Sequence, residues 1–279
     1  MTLAAMSDLM TSAWRAGRGV GAFNVVQIEH AEAFVAAAER AGAPMVLQVS
    51  ENTVAYHGGL APIGSACLAI ARASSAPVVV HLDHAESRAL VSEAIALGFG
   101  SVMYDGSTLE VADNLAQTAQ VVAEARARGV FVEAELGRIG GKDGAHAPGV
   151  RTDPDEAVRF VAETGVDALA VAVGSSHAMT DRVAALDLEL VARLRRAVPV
   201  PLVLHGSSGV PDEELGRAIE AGMTKINVST HLNKVMSALV RDYLAAHPAT
   251  ADPRRYLGPA RDAMSAEAER LLRVVRAAA

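Results

Sequence analysis

Five times along this chain a helix-like segment ends in glycine and runs into a short apolar stretch. Ala41-Gly42 precedes Pro44–Val49, Leu97-Gly98 precedes Ser101–Tyr104, and Arg128-Gly129 precedes Val130–Glu135. Thr164-Gly165 then precedes Ala168–Val173, and Ala221-Gly222 precedes Met223–Val228. Glycine just past a helix end accepts the left-handed conformation that closes the helix. Proline punctuates twice more, with Pro77 before Val78–Leu82, and Pro199 and Pro201 before Leu202–His205. Adding Val20–Asn24 gives eight strands, each a short apolar run of the kind a parallel strand buried on both faces requires.

Helical periods lie between the strands. Ile28, Ala31, Val35 and Ala38 fall on one face, as do Leu115, Ala119 and Val122, and Val191, Leu194 and Val198. Asp153-Pro154-Asp155-Glu156 supplies a cap, a first-turn proline and acids that suit a helix N-terminus. Eight β-then-α units in 279 residues predict an α/β fold, a closed (β/α)₈ TIM barrel. The expected organisation is one domain over residues 1–279 with extra C-terminal helices from Asn233–Ala245 and Ala260–Arg276. A doubly wound open sheet is the alternative, but its glycine-rich first turn is missing, since Val25-Val26-Gln27 follows the first strand.

Composition narrows the function. The net charge of −7 offers no basic field for nucleic acid, so an anionic ligand must be caught locally. Cys67 is the only cysteine, which excludes an intrachain disulfide and suits a reducing compartment. No apolar run has the length of a membrane span, and Met1–Arg15 does not read as a signal peptide. These features predict a cytoplasmic chain without nucleic-acid or membrane partners.

In a TIM barrel, chemistry collects at the C-terminal ends of the strands. Those ends carry Asn24, His81-Leu82-Asp83-His84, Tyr104-Asp105, Glu133-Ala134-Glu135, His205-Gly206-Ser207-Ser208-Gly209 and Asn227-Val228-Ser229-Thr230, and strand six leads to Ser175-Ser176-His177. His84, His177 and His205 come from separate strand ends, as three ligands of a catalytic zinc with an open fourth position would. His81, deeper in its strand, reads as structural. Asp83 is a candidate proton shuttle, or else orients a ligand histidine, and can share a site with His84 only if the strand ends between them. Asp105 and Glu135 could hold a second cation or bond to loop backbone. The turns after strands seven and eight lie where barrels commonly bind phosphate. Gly137–Arg151 has five glycines in fifteen residues and reads as a long mobile loop on the catalytic face.

The chain resembles the class II, metal-dependent ketose-bisphosphate aldolases, which include fructose- and tagatose-bisphosphate aldolases. The resemblance rests on Gly21-Ala22-Phe23-Asn24, His81-Leu82-Asp83-His84, the stretch from Gly100 to Ser107, Val132 to Gly137, Leu204 to Gly209 and Lys225-Ile226-Asn227-Val228, in that order. It implies Zn²⁺ bound by His84, His177 and His205, an acid/base at Asp83, and a second metal position near Asp105 and Glu135. It implies enediolate contact by Asn227, and substrate binding by Asn24, Ala178, Gly206, Ser207, Ser208, Val228, Ser229 and Thr230. The implied reaction is reversible cleavage of a ketose 1,6-bisphosphate to dihydroxyacetone phosphate and an aldehyde, by a homodimer or homotetramer. Three departures bear on the substrate: Lys142-Asp143 stands where paired acids are usual, Ala178 where glycine is usual, and His231 where an acid is common. Another phosphorylated ketose, a Schiff-base lyase built on Lys225 and a non-catalytic zinc-binding barrel are the alternatives.

Overall fold

A computed structural model describes residues 3–136, 151–175 and 182–277. Eight parallel strands close into a barrel, each hydrogen-bonded to the next in the chain and the last to the first. They are β1 (Val20–Asn24), β2 (Met45–Ser50), β3 (Val78–Ala85), β4 (Ser101–Tyr104), β5 (Phe131–Glu135), β6 (Ala168–Ala170), β7 (Leu202–Leu204) and β8 (Met223–Val228). Around them run α1 (Met6–Arg15), α2 (Ile28–Ala41), α3 (Glu51–His57), α4 (Leu60–Ala73), α5 (Arg88–Leu97) and α6 (Val111–Arg126). The ring continues with α7 (Pro154–Thr164), α8 (Leu188–Ala197), α9 (Asp212–Ala221), α10 (Thr230–Ala246) and α11 (Arg254–Ala277).

All eight expected strands form, in the expected order. Their ends differ by a few residues: β3 runs on to Ala85, and β6 stops at Ala170 although Val171 N still donates to Val203 O at 3.3 Å. The five punctuating glycines, Gly42, Gly98, Gly129, Gly165 and Gly222, all have positive φ. At Gly222 a side chain is excluded twice, by a φ of 131° and by Arg195, whose Cγ would lie 2.5 Å from an added Cβ. Asp153 caps α7 by accepting from the N–H groups of Asp155 and Glu156.

Most apolar side chains fill the shell between strands and helices, but a second buried cluster occupies the barrel interior at its N-terminal end. There Val20, Val46, Val79, Phe131 and Val203 meet Met6, Leu9 and Met10 of α1, which stoppers the barrel. Closing that end leaves the C-terminal rim for function. The role of the last helices is likewise clear only in three dimensions. Helix α11 lies against α2 and α9, with Ser265 Oγ donating to Ala33 O at 2.7 Å and Gly19 N to Val275 O at 2.9 Å. It therefore fills the gap beside β1 in the helical ring, whereas α10 buries only Leu232 and Met236.

Candidate active site

The site begins with an irregularity in β3. Opposite β4 its register shifts between Leu82 and Ala85, and His84 has a φ of 48°. It is the one non-glycine residue with positive φ among the described residues. A left-handed residue with a Cβ costs roughly 1–2 kcal/mol. The strand does not end between Asp83 and His84, as their shared use seemed to require. A bulge with a left-handed residue turns both side chains into one cavity instead.

His205, at the end of β7, completes the centre. Its ring centroid lies 4.5 Å from that of His84. Its Nδ1 is 3.1 Å from Glu135 Oε2 and its Nε2 is 3.0 Å from Glu133 Oε1. His84 Nδ1 lies 3.0 Å from Asp105 Oδ2, while Asp105 Oδ1 accepts from Ser107 N at 3.1 Å. Two overlapping sets, Asp83 with His84 and His205, and His84 with Asp105 and Glu135, each bring ligand atoms within 4.8 Å of one another. Asp83 accepts from Asn24 Nδ2 at 2.7 Å through Oδ2, while its buried Oδ1 has no hydrogen-bond partner among the described residues. Imidazole nitrogens and carboxylate oxygens brought this close together suit a divalent cation such as zinc. Burial pushes the Asp83 carboxyl up, but the neighbouring charges of His84, Lys225 and His205 outweigh it and hold the group below the usual carboxylate range. Burial would likewise lower His205, yet hydrogen bonds to Glu133 and Glu135 push it up to about 10.

The expected residues are only partly brought together. Asn24, Asp83, His84, Asp105, Gly206, Ser208, Asn227, Ser229 and Thr230 line one cavity of about 720 Å³. Ser207 and Val228 do not line it. Ser207 Oγ turns back to Leu204 O at 3.1 Å, and the Val228 side chain is buried in the barrel wall because it alternates with Asn227 along β8. Ser208 Oγ accepts from the backbone N–H groups of Ser229 and His231, both at 3.2 Å. The turn after β7 is thereby tied to the start of α10, whose N-terminal end opens on the cavity and favours an anion. His177, Ala178, Lys142 and Asp143 lie outside the described residues. Ser50, Glu51 and Asn52 also line the cavity and were not anticipated. Ser50 stands two residues after buried Gln48 on β2, a spacing that could have marked it as inward-facing.

Lys225 is fully buried, its Nζ 2.8 Å from Glu133 Oε2. An amine paired inside the barrel is not placed to attack a carbonyl in the cavity, which removes the structural basis for a Schiff base there. His81 is also fully buried, with Nδ1 2.7 Å from Ser101 Oγ. Burial, reinforced by the charge of Lys225, pushes it down to about 3 and keeps it neutral.

Comparison with known proteins gives the family. The family profile "Fructose-bisphosphate aldolase class-II" matches residues 4–279. A fructose-bisphosphate aldolase from Geobacillus stearothermophilus is 40% identical over 270 residues, covering 95% of this chain and 94% of the relative. The crystal structure of the YdjI aldolase from Escherichia coli K12 superposes with a TM-score of 0.86 at 29% identity, covering 98% of this chain and 97% of that one. A fructose-bisphosphate aldolase from Campylobacter jejuni, 22% identical, shares the fold with a TM-score of 0.83 over 97% of this chain and 93% of its own. The chain belongs to the class II fructose-bisphosphate aldolase family and is an aldehyde-lyase.

Proposed function

We propose that this protein is a zinc-dependent aldolase that reversibly cleaves fructose or tagatose 1,6-bisphosphate to dihydroxyacetone phosphate and glyceraldehyde 3-phosphate. The observation that carries the reading is Asp83: a buried carboxylate with one oxygen anchored by Asn24 and the other open, beside His84 and His205 in one ligand set. His84 and His205, with His177 as the third ligand, would hold the metal, and Asp105 and Glu135 a second cation position. The bound cation supplies a Lewis acid that offsets the negative charge developing on the substrate oxygens as the carbon–carbon bond breaks.

The chain's own residues do the rest. Asp83 Oδ1 accepts the proton of the hydroxyl on the carbon that becomes the aldehyde. The bonding pair moves toward the ketone carbon and leaves an enediolate, which Asn227 contacts from β8 and which takes up a proton at carbon from solvent to become dihydroxyacetone phosphate. In the condensation direction Asp83 returns the proton to the new hydroxyl. Gly206 and Ser208, in the turn after β7, and Ser229 and Thr230, at the N-terminal end of α10, receive the phosphate of dihydroxyacetone phosphate. We place the enzyme in the cytoplasm, in glycolysis or a related sugar pathway, as a homodimer or homotetramer with all 279 residues forming one unit.

The test is retro-aldol cleavage of both bisphosphates before and after chelation, with zinc added back. Loss with chelator and recovery with zinc is the expected result, and the rate ratio names the better substrate. Full activity in protein shown to be stripped of metal would overturn the mechanism. Failure to cleave either sugar with zinc bound would redirect the search to another phosphorylated ketose.

A further inference from the structure

A buried charge layer lies beneath the site, and the reaction outlined above does not use it. Glu133 and Lys225 are both fully buried in the barrel, with Oε2 and Nζ 2.8 Å apart. A buried ion pair is a poor way to stabilise a core, because apolar residues of similar volume are often as stable or more so. Its position points to a different use. The second oxygen of Glu133 lies 3.0 Å from His205 Nε2. On the other side of the ring, Nδ1 faces Glu135, which belongs to the ligand set of His84 and Asp105. The two carboxylates therefore differ in attachment. Glu133 is ion-paired with Lys225, close enough for charge attraction though not aligned as a hydrogen bond, and its Oε2 lies 3.9 Å from His81, itself held by Ser101. Glu135 instead belongs, with His84 and Asp105, to a set that would hold a second cation. An imidazole that binds a metal through one nitrogen carries its proton on the other, and the group accepting that proton sets tautomer and ring orientation.

We propose that the Glu133–Lys225 pair is the positioning device of His205: Glu133 accepts the Nε2–H hydrogen, Lys225 anchors Glu133, and Nδ1 is the nitrogen presented to the metal. Glu135 then yields His205 when the cation enters, and Glu133 does not. This rests on the zinc reading above.

Two measurements test it. In the zinc-loaded parent enzyme, long-range ¹⁵N–¹H correlations of the imidazoles should show His205 protonated at Nε2; a proton on Nδ1 overturns the proposal. Zinc affinity, from chelator competition, is compared among the parent, Glu133→Met/Lys225→Met and Glu133→Gln/Lys225→Met. The first variant should melt at or above the parent temperature yet bind zinc about 10–100-fold more weakly. The second, whose amide oxygen still accepts from Nε2, should recover most of that loss. Parent-like zinc affinity in the folded Met/Met variant overturns the proposal, and if that variant does not fold the imidazole correlations decide. A parent that binds no zinc would instead refute the metal reading, a result distinct from zinc bound with the proton on Nδ1.

Discussion

Asp83 and His84 are neighbours in the chain, yet both side chains face the same cavity, because His84 adopts a φ of 48° at a register shift in β3. On the proposed function, the arrangement places a general base next to a metal ligand at the cost of local backbone strain. It also makes the usual preference for alanine over glycine in a strand reverse at this position. His84→Gly should be more stable than His84→Ala by about 1 kcal/mol, since glycine occupies the left-handed region freely. Urea unfolding of the two metal-free variants measures the difference. Equal midpoints would mean that the strand relaxes when the imidazole is removed.

Asp83→Asn keeps the shape of the side chain and its contact with Asn24 but removes the proton acceptor. We expect kcat to fall by about 10²–10⁴, the usual contribution of a general base, with zinc content and folding retained. Steady-state kinetics together with metal analysis would check this. A modest loss of rate accompanied by a loss of zinc would assign Asp83 to metal binding instead.

Ser208 joins the turn after β7 to α10 through two backbone donors. Ser208→Ala leaves both N–H groups without their acceptor, a loss of about 1–3 kcal/mol before any water replaces the hydroxyl. Because that turn lines the end of the cavity assigned to phosphate, KM for a phosphorylated substrate should rise more than kcat falls. A kcat effect with unchanged KM would place the phosphate elsewhere.

His30 predicts an acid sensitivity remote from the catalytic centre. It is buried on α2 with Nε2 3.0 Å from Asn233 Oδ1, and burial lowers its pKa below the ordinary 6.5. The folded protein therefore holds His30 neutral while the unfolded chain takes up a proton. The stability from His30 is fully present above pH 6.5 and is lost as pH falls below it toward the folded-state pKa, by up to about 1.4 kcal/mol per pH unit. His30→Gln, which keeps a donor for Asn233, should flatten the pH dependence of the urea midpoint between about pH 7 and pH 5. An unchanged slope would show that other groups dominate acid unfolding.

The sequence by itself determined the barrel, its strand order and most of the polar residues at the strand ends that line the cavity. Those features are local: a glycine that accepts a left-handed helix end, an apolar run of strand length, and a polar residue at the run's C-terminal end are all visible without knowing what packs against them. The inward pairs Gln48 and Ser50, His81 and Asp83, Glu133 and Glu135, and Lys225 and Asn227 stand two residues apart on their strands, a spacing visible in the sequence although Gln48 and Ser50 were not singled out by it. Tertiary structure alone decided what those residues meet. Glu133 and His205 are 72 positions apart in the chain, and barrel closure and strand register bring them to 3.0 Å. The same holds for the Glu133–Lys225 pair, for α1 as the stopper, and for α11 in the place of the last barrel helix. His84 shows the limit most clearly, because its left-handed backbone runs against the residue's own preference and persists only where the surrounding packing imposes it.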